Sequence, residues 1–290
     1  MPAPGRRSAL VTLALLLLEG TACGAPERLR SEREQALDLR EVSGLAIGTL
    51  AGHGAIVLAV GDEARAVTLV PLVDGVPDTT RALAIALPLP EDPGGSQLEG
   101  VALVGERLWV LSEGPLGAMT ELAIEGDVAR VVRTGPLVVP PDHPIGAAWA
   151  ADANLRGEGL VVDGERVLVA KQRDPAALIA FTFAGDRWTA GATWRVDTDE
   201  LSDLARGPGG DLYTIGASTG LICRLGPLPD GGGDVACAQR WALPDKLGKG
   251  KTQWEGLAFL PDGRPLVAVD RKKSDTPNLA ILPRLGTPTP

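Results

Sequence analysis

Short apolar runs broken by Gly, Asp and Pro recur along the whole chain, and no strong helical patterning interrupts them. Five of the runs open on one pattern: Ser43-Gly44-Leu45-Ala46, Glu99-Gly100-Val101-Ala102, Glu158-Gly159-Leu160-Val161, Ser202-Asp203-Leu204-Ala205 and Glu255-Gly256-Leu257-Ala258. Each is followed by a turn signal, such as Gly105-Glu106, Asp163-Gly164 or Pro261-Asp262-Gly263, and then by a second apolar run. The copies lie 44 to 59 residues apart, near the roughly 40 to 50 residues that four short antiparallel strands require. The repeat predicts an all-β β-propeller with four-stranded antiparallel blades. Five blades are expected, or six if 135–156 joins neighbouring strands as a further one.

In the first blade the inner strand begins at Val42, the second covers Ala55 to Val60, and outer strands lie near Ala66–Leu72 and Ala82–Leu87. The second blade pairs Leu98–Val104 with Leu108–Leu111, then adds Thr120–Ile124 and Ala129–Thr134. Segment 135–156 is long and rich in Pro, Ala and Asp, as an embellishment over one face would be. The third blade runs from Glu158 to Val169, then Ala177–Phe183 and Trp188–Val196, and the fourth uses Leu201–Ala205, Asp211–Ile215 and a hairpin holding two cysteines. The fifth uses Glu255–Leu260 and Pro265–Val269 but runs out after Asn278–Leu285. Residues 23–40 are therefore either a tether or the strand that closes the ring, with the propeller itself spanning 41–290.

An inner strand and its hairpin partner start and end at the same face of a blade. Closing the ring gathers the five motif starts, Ser43, Glu99, Glu158, Ser202 and Glu255, around one axial mouth. Two residues earlier, on the same side of each strand, stand Glu41, Gln97, Arg156, Glu200 and Gln253. Carboxylates packed this closely repel each other unless a cation or fixed donors compensate. Glu41, Glu99, Glu158, Glu200 and Glu255 are therefore candidate metal ligands, and Ca²⁺ is the expected ion because it takes oxygen ligands. The ends of the second strands and the remaining motif positions give a rim of Ser43, Ser202, Asp203, Glu113, Lys171, Arg173, Asp270 and Arg271, with Asp62, Glu63, Ser112, Asp174, Ser218, Thr219 and Lys272 beside them. Its basic members fit a small anionic ligand.

The net charge of −9 with no basic block excludes a nucleic-acid binder. There is no H-E-x-x-H, and the only histidines, His53 and His143, fall in loops, His143 within reach of the mouth. A catalytic residue is thus not identifiable. Any hydrolysis would use a metal-activated water with a ring carboxylate as base. Cys223 and Cys237 flank the turn Pro229-Asp230-Gly231-Gly232 and are expected to form a disulfide. At the N-terminus Arg6 and Arg7 precede an apolar stretch from Ala9 to Leu18, too short to span a bilayer, so 1–22 reads as a signal peptide. Gly20-Thr21-Ala22-Cys23 resembles the lipobox of bacterial lipoproteins, with Cys23 as the lipidated residue.

The chain resembles the SdiA-regulated family of bacterial β-propellers and, more distantly, the esterase-like phytase propellers. The likeness rests on Val42-Ser43-Gly44-Leu45, Glu99-Gly100-Val101, Gly157-Glu158-Gly159-Leu160, Ala170-Lys171-Gln172-Arg173-Asp174-Pro175, Leu201-Ser202 and Gln253-Trp254-Glu255-Gly256-Leu257-Ala258. The chain departs from the family at Arg156-Gly157, at Gln172 in place of Glu, at Asp203 in place of the motif Gly, and in a longer, more basic stretch from Asp270 to Asn278. The resemblance implies a calcium-associated, exported or envelope-linked propeller. The expected function is accordingly an exported, lipid-anchored propeller of the periplasm or outer membrane that binds Ca²⁺ at its mouth and presents a face to a small anionic ligand or an envelope protein. The alternative is a metal-dependent phosphoester or ester hydrolase using the same mouth.

Overall fold

The computed structural model describes residues 26–89, 97–113, 117–247, 252–272 and 276–286. The signal segment and Cys23 lie outside the described residues. The strands pair as antiparallel four-stranded units. The first joins Val42–Leu50, Gly54–Gly61, Ala66–Val73 and Leu83–Ala86. The second joins Gln97–Val104, Arg107–Glu113, Ala118–Glu125 and Val128–Val138. In the third, Gly159–Asp163, Arg166–Lys171, Ala177–Ala184 and Arg187–Val196 follow one another. The fourth is Asp203–Arg206, Leu212–Gly216, Leu221–Leu225 and Cys237–Ala242. The fifth has Trp254–Phe259, Pro265–Val269 and Leu279–Ile281, and takes its outer strand, Arg33–Gln35, from the N-terminal segment.

Strands apolar on both faces have to be covered on both faces, and here each unit is covered by its neighbours. The buried side chains fall into clusters that each span two consecutive units. One cluster packs Leu58 and Ile85 against Leu98 and Val110. The next packs Trp109 and Leu111 against Phe181 and Trp188, and another Leu178 and Trp194 against Leu204 and Leu225. Ile215 and Trp241 then meet Leu257 and Val267, and Ala258 and Ile281 meet Val42 and Val57. That last cluster brings the fifth unit back to the first. The inner strands likewise contact one another in a closed circle. This is the β-propeller architecture.

The N-terminal segment clamps the circle. Glu27–Arg28 adds in parallel to Trp241 and Ala242 on the fourth unit, and Arg33 and Gln35 pair with Ile281 and Leu279 on the fifth. Leu29, Leu37 and Leu39 are buried behind it. Asn278, wholly buried, accepts from Leu37 N at 2.7 Å and donates to the carbonyls of Leu37 at 2.9 Å and Leu39 at 3.0 Å.

Segment 139–158 holds the short helix Gly146–Ala151 and the 3₁₀ turn Ala153–Leu155, and no strand unit. Trp149 packs on Phe181 with ring centroids 5.8 Å apart. His143 does not cover the mouth: its Nε2 lies 2.7 Å from the carbonyl of Gly191 on the outer strand of the third unit. The disulfide Cys223–Cys237 is formed, with Cα atoms 5.6 Å apart. The two cysteines are not directly opposite, since Cys237 faces Leu225 and Cys223 faces Arg240 across a bulge. The chain between them departs so that Gly233–Val235 can pair with Trp194–Val196 of the third unit.

Candidate functional site at the axial mouth

The motif residue is a β-bulge. Val42 opposes Gly61 while Gly44 opposes Val60, which leaves Ser43 as the extra residue. Glu99 and Glu255 occupy the same position in the second and fifth units. In the third, Glu158 N donates to the Ala170 carbonyl that Gly159 also opposes. A bulge re-aims its side chain out of the sheet's alternation, here toward the axis. The glycine after it lets the backbones of adjacent units touch: a Cβ on Gly44 would lie 2.8 Å from the Glu99 carbonyl oxygen and 2.9 Å from Gly100 Cα.

Together these side chains line a cavity of ≈ 240 Å³. Ser43 and Asp62 come from the first unit, Gln97, Glu99 and Glu113 from the second, Glu158 and Gln172 from the third, and Gln253, Glu255 and Asp270 from the fifth. Asn154 reaches in from the 3₁₀ turn. Six carboxyl groups thus share one small space whose lining includes no basic side chain among the described residues. Ser43 Oγ donates to Asp62. Arg156 N lies 3.4 Å from Glu113 Oε1. Asp270 Oδ1 is buried without a hydrogen-bond partner.

Lost water and mutual repulsion act in the same direction on these acids. Burial first, then the charges of Asp62, Glu113 and Glu255, push Glu99 up to about 9. Glu255 is pushed up to about 8 by burial and by Asp270, Glu200, Asp62 and Asp203. Burial raises Glu113 to about 7 against the pull of the Arg156 amide. Glu158 is held well above the carboxylate range by burial and by Glu99. Asp62 and Asp270 are raised too, chiefly by burial.

The structure brings Ser43, Glu99, Glu113, Glu158, Glu255 and Asp270 together, and leaves the other expected members outside the lining. Glu41 sits at φ 49 with its carboxylate 3.7 Å from Lys272 Nζ. Glu200 accepts from Ser218 N at 2.6 Å and also from its hydroxyl. Ser202 Oγ accepts from Ala217 N at 2.9 Å. The fourth unit therefore adds nothing to the lining, and the expectation of a carboxylate from every blade is corrected to four units of five. Lys171 and Arg271 are buried, and each donates to a main-chain carbonyl, that of Arg173 and of Leu247 respectively. Burial also lowers the Lys171 amine, against the pull of Asp174. Arg173 points into solvent.

Asp203 lies beneath the mouth, 1% exposed, with three main-chain amides on its carboxylate. Burial pushes this acid well up, while the amides of Leu257, Leu204 and Leu45 draw it back. Asn154 is a lining residue that the sequence did not single out, and Gln172 stood out there only as a departure from the family's Glu. The Asp152 carboxylate that accepts from Asn154 N at 2.9 Å marks the turn, though not where Asn154 is aimed.

The oxygen-only donor set matches the hard-cation chemistry of Ca²⁺. Among the described residues no group of three or more His, Cys, Asp or Glu side chains is placed to hold a metal ion directly. The cavity, however, has room for a cation that keeps part of its water.

No protein-family model matches the chain, and no curated protein matches it. Solved structures do. A putative oxidoreductase (glucose dehydrogenase) from Thermus thermophilus superposes with TM-score 0.51 at 13% identity, over 88% of this chain and 99% of that one. A Bacteroides caccae protein of unknown function gives TM-score 0.50 at 12% identity, over 89% and 90%. The PQQ-bound aldose sugar dehydrogenase of Streptomyces coelicolor gives 0.46 at 14% identity, over 89% and 99%. At these identities the likeness establishes the fold alone.

Proposed function

We propose that this chain is a binding propeller of the cell envelope whose mouth takes up a hydrated Ca²⁺ ion, and whose ion-loaded face receives a ligand or partner. Its five strand units are read as five blades. The observation that carries the proposal is the lining itself, six carboxyl groups from four units with no basic side chain among them. Glu99, Glu158 and Glu255 would hold the ion, supported by Asp62, Glu113 and Asp270. Glu41 and Glu200 would act on it only through their charge. When bound, the ion supplies charge compensation and an electrophilic centre. An anionic ligand would need that centre, because the lining alone repels it. Hydrolysis of a phosphoester or ester would need it equally, to activate water.

Export is supported by the Cys223–Cys237 disulfide, which suits an oxidising compartment, together with the apolar segment ahead of Cys23. Cys23→Ser should move the protein from the membrane to the soluble fraction.

The test of the mouth is calorimetric titration of Ca²⁺ into chelator-treated protein. Saturable binding is expected, weakened at least about tenfold by Glu99→Gln with Glu255→Gln. Equal binding by the double variant overturns the assignment. Turnover of generic phosphoesters and esters that appears only with Ca²⁺ would make the same mouth an active site.

A further inference from the structure

Directly below the mouth the repeat breaks its own rule. Four motif copies carry glycine in second place, and the fourth carries Asp203. We propose that the propeller axis holds an anion site built of main-chain amides, and that the chain fills it with its own Asp203 carboxylate.

Asp203 Oδ1 accepts from Leu204 N at 2.7 Å, and Oδ2 accepts from Leu257 N at 2.7 Å and Leu45 N at 3.4 Å. These amides belong to the fourth, fifth and first units and follow the second motif residue in each. Every partner is a donor, so a proton on this carboxyl would find no acceptor among them, and converging amides of this kind stabilise negative charge against the burial that pushes the acid up. The third unit closes the space, since a Cβ on Gly159 would lie 2.6 Å from Leu204 N and also collide with the Asp203 carboxylate. Leu45, Leu204 and Leu257, with Val101 and Leu160, also form the inner end of a cavity of ≈ 210 Å³ that opens on the face opposite the carboxylate mouth. Leu45, Leu204 and Leu257, whose amides form the site, line that second cavity and not the mouth, so the amide site borders the second face.

Replacing Asp203 by glycine, the residue of the other copies, removes one CH₂–COO⁻ group. Acetate replaces it nearly atom for atom, so the vacated site should take a small monocarboxylate. The experiment is thermal unfolding of the full-length protein and of Asp203→Gly at constant ionic strength, with sodium acetate exchanged for sodium gluconate, whose anion is too bulky to enter. In gluconate the variant should melt at least about 5 °C below the parent. Acetate should restore much of that loss saturably, with a midpoint on the order of 1 to 10 mM, and should leave the parent unchanged. If Asp203→Gly folds only when acetate is present, the same conclusion holds. Asp203→Asn keeps the side-chain volume but loses the charge, and should melt low without responding to acetate. A glycine variant as stable as the parent, an acetate effect equal in both proteins, or an asparagine variant with parental stability would each overturn the proposal.

Discussion

A carboxyl group that loses water without gaining a cation takes up a proton, and several mouth residues are in that position. Glu113, Glu255 and Glu99 rise from the usual 4.5 to about 7, about 8 and about 9. Between 4.5 and these values the folded chain holds protons that the unfolded chain has released, so stability is full below 4.5 and falls as pH rises. Cation-free protein should therefore melt about 5–10 °C lower at pH 9 than at pH 5. Glu99→Gln, which cannot ionise, should raise the midpoint at pH 9 and flatten the profile. A flat or rising profile for the parent would show that these acids ionise freely. The bulge glycines are as exacting at this scale. Gly44→Ala brings a Cβ to 2.8 Å from the Glu99 carbonyl oxygen, with backbone that cannot step aside. Its cost should be about 1–3 kcal/mol by chemical denaturation, and parental stability would mean the units are less tightly joined than described.

Among the elements, the N-terminal clamp has the most specific fastening. Asn278→Ala would leave Leu37 N and the Leu39 carbonyl buried without the partners that Asn278 provides. A loss of about 2–4 kcal/mol is expected, with proteolysis starting in the N-terminal segment; cleavage elsewhere at parental stability would contradict the clamp. The positions of the strands were legible in the sequence because short apolar runs and turn residues recur. A closing strand from 23–40 was one of two readings the sequence left open, because the fifth unit ran one short. The aims of individual side chains were harder to read. Glu200 is drawn aside by Ser218, and Lys171 and Arg271 by nearby carbonyls; these are local captures that carry no spacing signal. Asp203 was visible only as a departure from glycine, since its partners Leu45 and Leu257 lie far away in sequence.

At the scale of the whole molecule, ring closure concentrates acids from residue 62 to residue 270 into one cavity. A cation entering it must displace the protons those acids retain, so binding and proton release are coupled. The most direct measurement is calorimetric titration of Ca²⁺ at pH 7.5 in two buffers of different ionisation enthalpy. The account predicts saturable binding whose apparent heat differs between the buffers because protons are released, with that difference diminished in Glu99→Gln with Glu255→Gln. Absence of binding, or binding with the same heat in both buffers, would contradict it.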